Sequence, residues 1–181
     1  MCIRDSFFVV FLSAHVGEDF AKVRAADIAP TRLAEVEADT YWCGAYLIDM
    51  IQDYFTHERP GLQLQVQRLE ELMGRIDPAL NEHLAAHGVP YMQFAFRWMN
   101  CLLMRELPLP PIIRLWDSYL SESDGFERLH LYTSAAFLKT FSGPVLSTND
   151  MSEIMLMVLN WPTDGWTEAD IGVLLAEAFQ L

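Results

Sequence analysis

A chain of 181 residues with 12 Lys+Arg against 25 Asp+Glu, a formal net charge of −13, lacks the basic face that a nucleic-acid partner demands. A basic or magnesium-bearing protein surface suits it better. Its hydrophobic fraction of 52% is enough for one buried core of ordinary domain size, with no repeat or low-complexity linker to divide it. The cysteines Cys2, Cys43 and Cys101 are odd in number and without paired spacing, the pattern of reduced thiols, so a cytoplasmic location is expected.

Residues 1–6, MCIRDS, share no pattern with the segment after them and read as a non-native or misplaced start. Phe7 to Val16, FFVVFLSAHV, imitates a signal peptide, but Asp5 cancels Arg4 and no small-x-small cleavage site succeeds it. It is also shorter than the roughly twenty apolar residues a membrane span requires, so it reads as a core helix and no direct membrane insertion is expected. Gly17 to Thr31 is polar and reads as a loop. From Thr31, Leu33, Val36, Tyr41, Leu47 or Ile48, Ile51, and Tyr54 or Phe55 recur at helical spacing. That predicts one long helix or two short ones, stopped at Arg59-Pro60-Gly61. Leu62, Val66, Leu69, Leu72 or Met73, and Ile76 then form the clearest amphipathic stripe in the chain, ending before Asp77-Pro78. Ala79 to Ala86 predicts a short helix, with Gly88 suited to positive φ just past its end.

Phe94 to Tyr119 is the stretch around which the rest is organised. Phe94, Phe96, Trp98, Met99, Leu102, Leu103 and Met104 cover nearly every side of a helix, which predicts burial all round. Arg97, Arg105, Arg114 and Asp117 lie within or beside it, with Glu106 available. A charge in such a place costs several kcal/mol unless it is paired and hydrogen-bonded, so a buried ionic lattice of these five residues is expected. Leu107-Pro108-Leu109-Pro110-Pro111 interrupts the pattern, and Pro110 or Pro111 opens a new helix through Tyr119. Phe126 to Phe141 is another apolar helix, broken or bent at Ser142-Gly143-Pro144. Asp150 with Glu153 resembles a capping pair opening Met151 to Leu159. Thr167 caps a last helix with Ile171, Leu174, Leu175, Ala178 and Phe179 inward. Trp42, Trp98, Trp116, Trp161 and Trp166 all read as core aromatics. The whole predicts an all-α, single-core helical domain of roughly eight to ten helices.

Arg97-Trp98, Arg105-Glu106-Leu107-Pro108 and Arg114-Leu115-Trp116-Asp117 together resemble the second half of a TBC domain, the module of Rab GTPase-activating proteins. The resemblance continues through Pro60-Gly61-Leu62-Gln63, Arg75-Ile76-Asp77-Pro78, His83-Leu84 and Leu131-Tyr132, and through Leu159-Asn160-Trp161-Pro162-Thr163 with Trp166. It implies that residues 7–181 are the later half to two-thirds of such a domain, incomplete at the N-terminus. Its partner would be a GTP-bound Rab-family small GTPase in vesicle trafficking, met at endomembranes through partners, with no cofactor of its own. Family catalysis uses an arginine from an I-x-x-D-x-x-R stretch and a glutamine from a Gly-Tyr-x-Gln-Gly stretch. The first string is absent here. Tyr91-Met92-Gln93 spells Y-x-Q, but it directly precedes the Arg-Trp helix instead of lying ahead of the helix at Phe7 to Val16, so Gln93 reads as structural or capping. No catalytic residue is therefore expected in this chain. A non-catalytic helical module that binds a small GTPase or adaptor is the alternative.

Two spacings imitate metal sites. His83 and His87 are four apart, but Leu84 stands where a zinc protease needs its glutamate, and no third ligand is evident. Glu127-x-x-His130 copies a di-iron motif that must occur twice, and it occurs once. Both read as ordinary residues, Glu127 solvated and His130 partly buried, and no metal is expected.

Overall fold

The structure, a computed structural model, describes residues 3–16, 23–54, 57–58 and 60–181. They form ten α-helices: α1 (Ile3–Val16), α2 (Pro30–Met50), α3 (Pro60–Ile76), α4 (Pro78–Ala86), α5 (Tyr91–Cys101), α6 (Leu109–Ser121), α7 (His130–Thr140), α8 (Ser142–Leu146), α9 (Met151–Leu159) and α10 (Glu168–Gln180). Short 3-10 turns at Ala25–Asp27 and Gln52–Tyr54 and a π-turn at Gly125–Leu129 complete the described structure, which contains no strand. The fold is all-α. Its packing divides into two compact units, one ending at Gln52 and one running from Asp53 to Leu181.

In the first unit α1 lies along α2. Helix α1 begins at Ile3, inside residues 1–6, the stretch whose sequence reads as a non-native or misplaced start. Helix α2 opens with Pro30 in its first turn and buries Val36, Thr40 and Leu47 on one stripe. His15 Nε2 stands 3.1 Å from Asp39 Oδ2 and ties the two helices.

The second unit is built on helix ends that its own side chains satisfy. Pro60 opens α3, which buries Leu62, Val66, Leu69, Leu72 and Met73 against α5, α4 and α7. The Asp77 carboxylate accepts from Leu80 N at 3.1 Å and caps α4, and Gly88 leaves that helix at φ +68°. Asp150 accepts from the backbone of Ser152 and Glu153 at the start of α9, and Thr167 with Asp170 forms a capping box on α10.

Helix α5 is shorter and less buried than its composition predicts. It stops at Cys101, because Leu102 (φ 52°) and Leu103 (φ 60°) both take left-handed conformations. Each such residue costs about 1–2 kcal/mol. Both leucines are fully buried, worth about 1.5–3 kcal/mol each, and the Trp116 indole N–H donates to Leu102 O at 3.0 Å. Phe96 and Arg97 are only half-buried and Gln93 is exposed, so α5 is amphipathic.

The helix surrounded on most sides is α7, where Thr133 to Leu138 are all buried. Phe137 is its hub, with ring centroids 5.4 Å from Trp98, 5.5 Å from Phe141 and 5.6 Å from Trp166. Phe141 in turn stacks on Trp161 at 4.3 Å. The π-turn before α7 needs Gly125, since a Cβ there would lie 1.9 Å from Tyr119 O. Two expected core aromatics are placed otherwise: Trp42 is 71% exposed and Phe179 64% exposed.

Candidate functional site

A polar cleft of about 690 Å³ opens in the second unit where α5 turns into α6, with Arg97, Arg105 and Glu106 on one wall and Asn160, Trp161 and Asp164 of the loop after α9 on the other. Its geometry derives from the left-handed leucines. They reverse the chain sharply, and Glu106 N bonds to Leu103 O at 3.0 Å, bringing the Glu106 carboxylate back beneath Arg97 on the preceding helix. Arg97 Nε donates to Oε1 and Nη2 to Oε2, both at 2.7 Å, the two-pronged geometry that suits a guanidinium best. Nη2 also donates to Leu159 O at 2.9 Å, one of the carbonyls that the end of α9 leaves without an intrahelical partner. The Thr163 hydroxyl donates to the Glu106 backbone carbonyl. One arginine thus clamps the end of α5, the approach to α6 and the end of α9.

Glu106 is 5% exposed, and its carboxyl lies above the ordinary value because burial raises it by more than the hydrogen bonds and charge of Arg97 and the charge of Arg105 lower it. The ionised form therefore depends on Arg97. The carboxylate oxygens already accept from the guanidinium, so the pair fixes geometry and offers no free base.

Of the five charges expected to form one buried lattice, only Arg97 and Glu106 do so. Arg105 lies at the cleft but is exposed, as are Arg114 and Asp117. Helix α6 explains the last two: Ile112, Leu115, Trp116 and Tyr119 turn inward at spacings of three and four, which leaves positions 114 and 117 on the far side. Arg114 donates there to Ser118 Oγ at 2.6 Å. Trp98 and Trp116 are core residues, 0% and 4% exposed.

The imitation sites resolve into local contacts. Tyr91 is buried and Gln93 exposed, so the Y-x-Q word is split between core and solvent. His83 Nε2 lies 2.9 Å from Thr148 O and His87 Nδ1 2.8 Å from His83 O, with the rings 4.2 Å apart. Among the described residues no group of three or more His, Cys, Asp and Glu could hold a metal ion. Glu127 pairs on the surface with Arg68 at 2.7 Å. His130, expected to be partly buried, is completely buried, with Nδ1 3.1 Å from the Tyr119 hydroxyl, and burial pushes it down to about 4. The sequence signal for that burial is the pair of leucines flanking it, Leu129 and Leu131.

The family model for the Rab-GTPase-TBC domain matches residues 25–146. The chain belongs to the Rab-GTPase-TBC family. The Arg97–Glu106 clamp lies inside the matched residues of this TBC domain. The chain is 49% identical over 176 residues to TBC1 domain family member 22A of Homo sapiens, covering 97% of this chain and 34% of that protein. It is 45% identical over 175 residues to GTPase-activating protein gyp1 of Schizosaccharomyces pombe, covering 96% and 34%. It superposes on the crystal structure of the Ypt/Rab-GAP domain of Gyp1p with a TM-score of 0.92 and 38% identity, over 98% of this chain and 56% of that one. The TBC chain described here thus spans about a third of the length of these curated relatives.

Proposed function

We propose that this TBC chain is part of a GTPase-activating protein for GTP-bound Rab-family GTPases, and that residues 1–181 alone do not accelerate hydrolysis. The first half of this reading rests on the family membership and on relatives named for GTPase activation. The second half rests on one observation, the absence from the chain of both the I-x-x-D-x-x-R string and the Gly-Tyr-x-Gln-Gly string. An arginine offered in trans raises GTPase turnover by about 10³–10⁵, because it stabilises charge on the transferring phosphoryl group that the GTPase alone leaves unmatched. Arg97 in the cleft is no substitute, because it is committed to Glu106 and Leu159.

The role of this chain is then to hold a rigid helical platform, and Arg97, Glu106, Trp98 and Trp116 are positioning and packing residues. No helix among the described residues is long and apolar enough to cross a membrane. The test is single-turnover GTP hydrolysis by a panel of Rab proteins with the chain in excess. Rates equal to the intrinsic rate are expected, and a clear acceleration by any member would overturn the second half. If a longer chain of the same gene that carries both strings also leaves every rate unchanged, the first half fails and a non-catalytic interaction module replaces it.

A further inference from the structure

Helices α5, α6 and α7 meet at His130, whose ring does more there than fill space. His130, Tyr119, Thr133 and Trp98 are each 0% exposed inside the second unit, so the groups that satisfy them belong to this chain. His130 Nδ1 stands 3.1 Å from the Tyr119 hydroxyl. The Thr133 hydroxyl, one turn along α7, also bonds to Tyr119, and the Trp98 backbone bonds to the ring. These two outer contacts are looser than the middle one, since Thr133 Oγ1 and His130 Nε2 have no partner at full hydrogen-bond geometry among the described residues.

The direction in which the protons run follows from the Trp98 end. A backbone contact that favours the charged ring, as this one does, must accept a proton, and the Trp98 N–H is in any case spent inside α5. The ring therefore meets the Trp98 carbonyl. With Nδ1 taken by Tyr119, Nε2 is the nitrogen left for it. A neutral imidazole carries one N–H, so a proton on Nε2 makes a bond there, whereas a bare Nε2 would set its lone pair against a buried oxygen. Nδ1 is then the acceptor, the Tyr119 O–H donates to it, and the Thr133 O–H donates to the Tyr119 oxygen. The reverse order leaves buried acceptors facing each other, which is costly.

Trp98 O is also where α5 ends. It accepts from Leu102 N and, at 3.1 Å, from Leu103 N, the two residues that turn left-handed. Two amides sharing one oxygen account for the looseness of a third donor. From Leu103 the chain reaches Glu106 through the 3.0 Å bond of Glu106 N to Leu103 O, and so places the carboxylate beneath Arg97. We propose that His130, held as the Nε2–H tautomer, is a positioning residue: its ring joins the Tyr119 hydroxyl to the Trp98 carbonyl and latches the Leu102–Leu103 turn, and through it the Arg97–Glu106 clamp. This does not depend on GTPase acceleration, and its test reads none.

The tautomer is read on the unaltered 181-residue chain, labelled with ¹⁵N at histidine, from long-range proton–nitrogen spectra near neutral pH. His130 should show a protonated Nε2 and a bare Nδ1; a protonated Nδ1, or both forms together, would overturn the proposal. The latch is read by amide hydrogen exchange at Leu102 and Leu103, with Leu69 of α3 and Leu174 of α10 reporting global opening. His130→Leu keeps an apolar side chain and loses both bonds. It should speed exchange at Leu102 and Leu103 by at least about tenfold relative to the two reference amides, and weaken the hydrogen-bonded Arg97 Nε–H signal. His130→Gln supplies an acceptor and a donor side by side and should restore both the protection and that signal. A role in packing alone would move all four amides together. Unchanged relative exchange in His130→Leu, or a His130→Gln chain that behaves like it, would therefore overturn the latch. An unfolded His130→Leu chain beside a folded, protected His130→Gln chain would support it, because only the bonds differ in kind.

Discussion

Replacing Arg97 by alanine removes both prongs on Glu106 and the bond to Leu159 O, and leaves a carboxylate whose side chain is 3% exposed with no counter-ion in contact. Breaking a buried pair from one side typically costs about 3–5 kcal/mol, and the full range applies here because Arg97 itself is only 28% exposed. The loss must depend on pH in a definite sense. In the native chain burial raises the Glu106 carboxyl and Arg97 lowers it. Without Arg97 the burial acts almost unopposed, so the folded variant holds its proton to higher pH than the unfolded chain does. A raised carboxyl favours the folded state below the unfolded value near 4.5, and that contribution is lost as pH rises through the folded value. The deficit of Arg97→Ala should therefore be small at about pH 4.5 and approach about 3–5 kcal/mol at about pH 7.5, read by urea unfolding at the two pH values. The double variant Arg97→Met, Glu106→Leu should recover much of it at the higher pH, since no charge is then left buried. A deficit below about 1 kcal/mol that is equal at both pH values would refute the clamp.

Arg114→Ala and Asp117→Ala, both on the outer side of α6, should each change stability by no more than about 0.5 kcal/mol in the same assay, where a shared buried lattice would demand several times that. Gly125→Ala should cost about 3 kcal/mol or more, or leave the chain insoluble, because its Cβ would be driven into the Tyr119 backbone. His130 is held near 4 in the folded chain against 6.5 when free, so its neutral form contributes fully above pH 6.5. That contribution is lost as pH falls toward 4, about 3 kcal/mol in all, and His130→Leu should flatten the stability profile across that window. Trp98→Ala should cost about 3–5 kcal/mol, whereas Trp42→Ser should stay within about 0.5 kcal/mol.

What was legible in the sequence is what local chemistry decides. Asp77 before Pro78, Gly88 after Ala86, Asp150 before Met151 and Thr167 before Glu168 each mark a helix end, and the structure uses each of them there. The all-helical class comes from the same periodicities. The end of α5 was not legible, because Leu102 and Leu103 have no local reason to turn left-handed; the burial that offsets the strain comes from residues distant in the chain. The expected lattice is larger than the observed one for a related reason. Apolar residues crowd positions 112 to 120 so closely that composition alone does not show which way 114 and 117 point, and only the packed face of α6 decides it. Trp42 fails by size: a large apolar side chain reads as core unless its helix already has another buried stripe, and Val36, Thr40 and Leu47 are that stripe. Arg97 and Glu106 were legible because the cost of burying a lone charge leaves few alternatives to pairing.

Several residues of the words by which this chain resembles its family are engaged in internal contacts, while Arg105, Arg114 and Asp117 of the same words are exposed. Arg97 holds Glu106 and Leu159, Trp98 packs on Phe137, Trp116 donates to Leu102, and the backbone of Glu106 accepts from Thr163. An activator that works by inserting donors into another protein's active site needs a rigid support more than reactive groups of its own beneath it, since misplacing such a donor by an ångström loses most of its effect. Residues that fix helix ends and turns are therefore as necessary to the family as the donors, and they can be present without them. The match over residues 25–146 includes the Arg97–Glu106 clamp, and on the function proposed above the activity requires the two strings that the chain does not contain. Destabilising the clamp in a longer chain that does carry those strings should lower the rate enhancement only in proportion to the fraction unfolded. A loss of rate at full occupancy of the folded state would instead mean that the cleft itself touches the GTPase.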